Sequence, residues 1–208
     1  MRVFYNPERR SPVFIVPGLV GVILNLTMVL FTAVAIVRER ERGNMELLIT
    51  TPIRGLELML GKITPYLLIG YLQASIIMGL GLFLFDVPIQ GSLFDFYAGV
   101  GLFVISTLTL GLMISTLATT QFQAFQMTFM SFLPQLLLSG FMFPFEGMPV
   151  PAQWLAELFP LTHFLRIVRG IILRGAEVEV LWQDVWPLMA FFTVFLAMAT
   201  IRFRKRLD

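Results

Sequence analysis

The stretch at residues 38–52 reads RERERGNMELLITTP: the consecutive charges Arg38, Glu39, Arg40, Glu41 and Arg42, then Gly43, an apolar run and Pro52. It stands in a chain of 208 residues that is 57% hydrophobic and only 13% charged, with a mean hydropathy of +0.83. Soluble domains carry roughly 25% charged residues. The long apolar segments flanking 38–52 therefore read as membrane spans, and the charged stretch as the water-exposed link between them. The fold class that follows is an all-α integral membrane protein. The net charge of +2 is no sign of nucleic-acid binding, because the basic residues gather at segment boundaries rather than along one surface stripe. With no cysteine, disulfides and thiolate metal sites are excluded.

A helix needs about 20 apolar residues to cross a bilayer core. Five segments meet that need: 13–37, 63–85, 98–119, 126–145 and 185–201. The run between Asp95 and Glu146 holds no charge and is long enough for two spans, with Thr119-Thr120-Gln121 as the turn. Loop Lys and Arg set orientation. Segment 38–62 holds Arg38, Arg40, Arg42, Arg54 and Lys62, and the tail holds Arg202, Arg204, Lys205 and Arg206. Both belong on the cytoplasmic side, which five spans satisfy with the N-terminus outside and the C-terminus inside. Arg2, Arg9 and Arg10, and likewise Arg166, Arg169 and Arg174, then fall outside, against the rule. Segment 146–181 is broken by Pro149, Pro151 and Pro160 and is too interrupted to cross. It predicts two short outer helices, 151–159 and 162–173, either interfacial or re-entrant.

Away from their ends the spans carry no Asp, Glu, Lys, Arg or His, so the usual means of ion coupling is absent. Asn25, Gln73 and Gln135 read as links between helices. On the third span Thr107, Gly111, Ser115 and Thr119 recur every four residues, a small, weakly polar stripe suited to close helix packing or to lining a path. Ser75 and Gly79 form a shorter stripe of the same kind. The sole histidine, His163, has no second metal ligand beside it and reads as structural. No catalytic, cofactor-binding or metal residues are indicated. Five residues separate Gly55 from Gly61, and Ile63 follows Lys62; a phosphate loop requires four, then Lys followed by Ser or Thr.

Within 38–52, Arg38 can pair with Glu41, or Glu39 with Arg42, on a helix projecting beyond the bilayer. Gly43 turns the chain and Asn44 is suited to cap a new short helix. Met45, Leu47, Leu48 and Ile49 give that helix an apolar surface, and Pro52 stops it. A second short helix, 56–62, leads back to the membrane. Short amphipathic helices of this kind suit docking against a partner protein or resting among headgroups.

These residues resemble the cytoplasmic connecting and coupling segment of ABC-2 type permeases, the membrane subunits of one group of ATP-binding cassette exporters. Arg38, Glu39, Glu41, Gly43, Glu46, Leu48 and Pro52 stand where the family pattern has them, and Asn44 replaces the usual threonine with its capping ability kept. Also similar are Gly61-Lys62 with Pro65-Tyr66 at the next span, and Pro160-Leu161-Thr162 with Arg169-Gly170 in the outer segment. Tyr5-Asn6-Pro7 and Val16-Pro17-Gly18-Leu19 look like the entry to the family's second span. Members generally have six spans with an outer domain after the first. This chain is similar to the C-terminal five-span portion, without the first span and the outer domain.

The resemblance implies a non-catalytic permease subunit of an exporter in the plasma membrane, of the bacterial inner-membrane kind. It implies a separate cytoplasmic ATPase that carries the ATP, and a second permease, identical or related, in the membrane. The ATPase would dock through Glu41, Arg42, Gly43, Asn44, Glu46, Leu48 and Pro52, and the substrate would be drug- or lipid-like. The alternatives are an ion-coupled transporter or channel subunit, or a membrane scaffold that transports nothing; neither would hold an ATPase.

Overall fold

The computed structural model describes residues 11–43, 55–177 and 180–204. These form α1 (Ser11–Glu41), α2 (Gly55–Phe85), α3 (Leu93–Leu117), α4 (Gln121–Leu138), a 3-10 turn (Phe145–Gly147), α5 (Val150–Ala156), α6 (Pro160–Arg174) and α7 (Trp182–Arg204). No strand occurs among the described residues. Asn44, Glu46, Leu48 and Pro52, with the short helix expected around them, lie outside the described residues.

Local chemistry sets the element ends. The Ser92 hydroxyl caps α3 by accepting from the Phe94 N–H at 3.2 Å, and Asp95 sits in the first turn, where the helix dipole favours an anion. That is why α3 starts five residues before the expected 98. Thr120 caps α4, accepting from the Gln123 N–H at 3.2 Å, so the turn falls at the predicted Thr119-Thr120-Gln121. Helix α4 covers 121–138 rather than 126–145: it closes at Ser139, ahead of Gly140, whose φ of +84° suits a residue without a Cβ. Pro160 opens α6 at a position where its missing N–H costs nothing, and Gly175, at φ +63°, closes it.

One expectation is corrected. The separate helix at 56–62 does not exist as such; it is the start of α2, which runs unbroken from Gly55 through Pro65 to Phe85. One internal proline forfeits a hydrogen bond without ending a helix whose both sides are otherwise helix-forming. The charged residues 38–41 continue α1 past its apolar span, on the projecting helix expected there.

Among the described residues four helices, α1, α2, α3 and α7, have the length and hydropathy of membrane spans. The 18-residue α4, expected as a fifth, carries Gln121, Gln123, Gln126 and Gln135 and is less apolar. At about 1.5 Å per residue it is roughly 27 Å long, close to a bilayer core of about 30 Å.

Helix α3 is the hub, packed against α1, α2, α6 and α7. Its most apolar window is 72% buried, against 22% for α2 and α7, whose outward faces carry Leu68, Leu72, Phe83, Val194 and Ile201. Apolar exposure of that extent fits lipid rather than water. Helix α6, expected as one of the two short outer helices, packs inward against the bundle. Leu161, Phe164, Leu165, Ile167, Val168, Ile171 and Ile172 are all buried in the main core, and Phe164 stacks on Phe103 with centroids 4.1 Å apart. Helix α5 stays at the surface, with Val150, Trp154 and Leu155 exposed.

Candidate functional site

At the end of the bundle where α1 finishes, the charged stretch ties α1 to the α3–α4 turn. Arg40 Nη1 donates to the Ala118 carbonyl at 3.0 Å. Glu41 accepts from the Gln121 backbone N–H at 2.9 Å through one oxygen and from the Gln121 side-chain amide through the other. Its carboxylate thus sits on the first turn of α4, where free N–H groups and the dipole favour it. Glu41 reaches across to another helix rather than back one turn to Arg38. Arg42 is exposed, and Gly43 follows at φ +71°, a backbone geometry that favours glycine.

The α3 stripe is divided. Thr107 and Ser115 are buried, and each hydroxyl is consumed by its own helix: Thr107 by the Val104 carbonyl at 2.9 Å, Ser115 by that of Leu112 at 2.6 Å. Gly111 lies so close to α1 that a Cβ there would stand 2.7 Å from the Val29 carbonyl oxygen. Thr119 has left the helix and is exposed, donating to Gln123 Oε1 through both its N–H and its hydroxyl. The three buried members form a packing seam with no polar group to spare. Asn25 Nδ2 donates to Gln135 Oε1 at 3.1 Å and the Thr27 hydroxyl to Gln73 Oε1 at 3.0 Å, so these polar residues do link helices.

At the opposite end, α6 organises a polar cluster inside an apolar setting. The Thr162 hydroxyl donates to the Ala156 carbonyl at 2.7 Å and fixes the α5–α6 bend that Pro160 begins. Gly170 admits the Leu181 side chain, which a Cβ would meet at 3.0 Å. Arg166 lies one turn from His163 and donates to both Glu157 oxygens, at 3.1 and 2.5 Å, and to Asp184 Oδ1 at 3.2 Å. The buried His163 places Nδ1 3.0 Å from Asp184 Oδ1 and Nε2 3.0 Å from the Glu157 carbonyl. Both neighbours are acceptors. Arg166 and His163 together face the Glu157 and Asp184 carboxylates. Burial alone would draw the Arg166 guanidinium down, but Glu157 and Asp184 outweigh it and hold it above its ordinary value. Among the described residues no acidic and histidine group is arranged to hold a metal ion.

Arg169 is different. Nη1 donates to the Gly140 carbonyl at 3.0 Å and the guanidinium carbon lies 3.7 Å from the Phe14 ring centroid, yet Nε and Nη2 are buried without a partner. Burial, with nothing offsetting it, lowers this residue to about 10, still cationic at neutral pH. A cleft of about 380 Å³ opens here, lined by Phe14, Glu146, Arg166, Arg169, Arg174 and Asp184 among others. The structure therefore gathers Pro160, Thr162, Arg169 and Gly170 on one helix but assigns them separate tasks.

The Glu157–His163–Arg166–Asp184 cluster was not foreseen. Its local half was visible as His163 and Arg166 one turn apart; Asp184 comes from another helix, and no spacing rule connects it.

The sequence profile described as ABC-2 type transporter matches residues 2–173. The chain is 34% identical over 206 residues to an Escherichia coli K12 protein named "Probable multidrug ABC transporter permease YbhR", covering 99% of this chain and 56% of that one. It is 34% identical over 211 residues to the E. coli "Inner membrane transport permease YhhJ", covering 98% and 55%. ABC transporter G family member 20 of Dictyostelium discoideum is 28% identical over 193 residues, covering 92% and 26%. The chain spans about half the length of the curated bacterial relatives it matches.

Proposed function

Because this chain belongs to the ABC-2 type transporter family, we propose that it serves as the membrane-spanning permease part of an ATP-driven exporter. The observation that carries the reading is the family match over residues 2–173, joined to a bundle with four long apolar helices. The chain contributes spans and no chemistry; ATP is bound and hydrolysed on a separate cytoplasmic subunit. Two permease copies, or this chain and a related one, pair in the membrane. The end bearing Arg40 and Glu41 faces the cytoplasm, and the α6 end faces outward. The cargo is drug-like or lipid-like, in keeping with the multidrug permease in the name of a relative.

In this reading the ATPase engages the chain around residues 41–52, and Glu41 has a second task beyond docking. A push arriving after Gly43 is passed by Glu41 to the first turn of α4, and by Arg40 to the last carbonyls of α3, so both helices move with α1 as one lever. The test is reconstitution of the permease with its ATPase. Charge reversal at Glu41 or Glu46, or a bulky residue at Gly43, is expected to separate ATP hydrolysis from export while insertion stays intact. Unaltered transport in all three variants refutes the coupling role. Failure of any cytoplasmic ATPase to copurify with the intact protein refutes the permease reading itself and favours a scaffold.

A further inference from the structure

Polar partners at the α6 end are unevenly shared. Glu157 and Asp184 both lie on Arg166, with the His163 ring beside them. Arg169 is held one turn from Arg166 with no ion pair to any described carboxylate. Its partner-free atoms are Nε and Nη2, which lie on one edge of the planar guanidinium. Two parallel N–H donors on that edge are the fork that grips two oxygens of a phosphate at once. A buried charged fork with nothing on it marks a missing acceptor.

The surroundings suit one. Nη2 lies beside Gly18 of α1, 3.2 Å from where a Cβ would stand, with the Phe141 ring packed against the same glycine, 2.7 Å from that point. The adjoining cleft, about 380 Å³, falls within the roughly 300–1,000 Å³ of small-molecule sites. Ser139 and Arg166 also line it. The Phe14 ring covers the guanidinium face and is itself 45% exposed, so it is a cover that can swing away without leaving a core. Glu146 lies on the exposed rim of the same cleft. Its charge disfavours a multiply charged anion and leaves a singly charged phosphodiester as the better fit.

We propose that this cleft is a phosphate-binding site in which the Nε–Nη2 edge of Arg169 grips the phosphate of a phosphodiester after the Phe14 ring moves aside. The site does not depend on the transport reading, since it is assayed on the permease chain without ATPase. The purified full chain, stripped of lipid in detergent, is offered phosphatidylglycerol or the phosphate-free diacylglycerol, and retained lipid is read by native mass spectrometry. Wild type is expected to retain phosphatidylglycerol at least tenfold better than diacylglycerol. Arg169→Lys keeps the charge and loses the fork; it is expected to reduce retention at least tenfold, as is Arg169→Gln. Phe14→Ala is expected to raise retention. Competition by inorganic phosphate would show that the phosphate group alone suffices; its failure to compete would identify the lipid diester as the form taken. Equal retention of the two lipids, or equal retention by wild type and Arg169→Lys, overturns the site and leaves Arg169 a strut between Gly140 and Phe14. If Arg169→Gln does not fold, Arg169→Lys and Phe14→Ala decide the matter.

Discussion

Replacing Gly111 by alanine tests whether the α3 stripe is a packing seam. The added Cβ would meet the Val29 carbonyl oxygen at 2.7 Å and the Thr32 Cβ at 2.9 Å. A carbon rests about 3.3 Å or more from a carbonyl oxygen, so α1 and α3 must part by roughly half an ångström. The obstacle is backbone and cannot rotate away. Overpacking of this kind costs about 1–3 kcal/mol, offset by about 1 kcal/mol from alanine's better helix propensity. The net expectation is a loss of up to about 2 kcal/mol. Gly79 on α2 is the control: nothing lies within 4 Å of a Cβ there, so Gly79→Ala is expected to gain about 1 kcal/mol. The assay is thermal unfolding of each purified variant in detergent, followed by the fluorescence of Trp154, Trp182 and Trp186. Opposite signs support the seam. A Gly111→Ala protein as stable as wild type but altered in transport refutes it and makes the stripe a path.

Three further outcomes are expected. Thr120→Ala removes the α4 cap and should cost about 1 kcal/mol in the same unfolding assay, with Thr120→Ser restoring most of it. Gln135→Leu leaves the buried Asn25 amide without its acceptor and should cost about 1–3 kcal/mol, whereas the double change Asn25→Leu with Gln135→Leu should recover much of that loss. Arg166→Met should cost about 1–3 kcal/mol, between the limits for exposed and buried pairs, because Glu157 is 41% exposed and Asp184 15%. A double-mutant cycle with Glu157→Gln that returns no coupling would show that the cluster is held by packing alone.

Much of the architecture follows from one-dimensional signals. Lipid requires long uncharged helices, and the water around their ends collects charge; both leave runs that are visible without a structure. Hence four of the five expected spans, the turn at Thr119-Thr120-Gln121 and the two short helices after Pro149 were readable, and the pattern 38–52 led to the family. The limits of α4 and the continuity of α2 were less legible, since a cap at Thr120 or a tolerated proline at Pro65 turns on local geometry rather than on hydropathy.

What the tertiary structure alone decided is which polar groups meet. Residues 41 and 121 are distant in sequence, as are 163 and 184, and so are 14, 140 and 169; only packing brings each set together. The sequence by itself determined that Arg166 and Arg169 occupy one turn of an apolar helix, an arrangement that looks alike for both. Folding separates them: both lie over an aromatic ring, but one turns to two carboxylates and the other to a carbonyl. In a low-dielectric interior the choice of partner, not the residue type, determines what a charge can do.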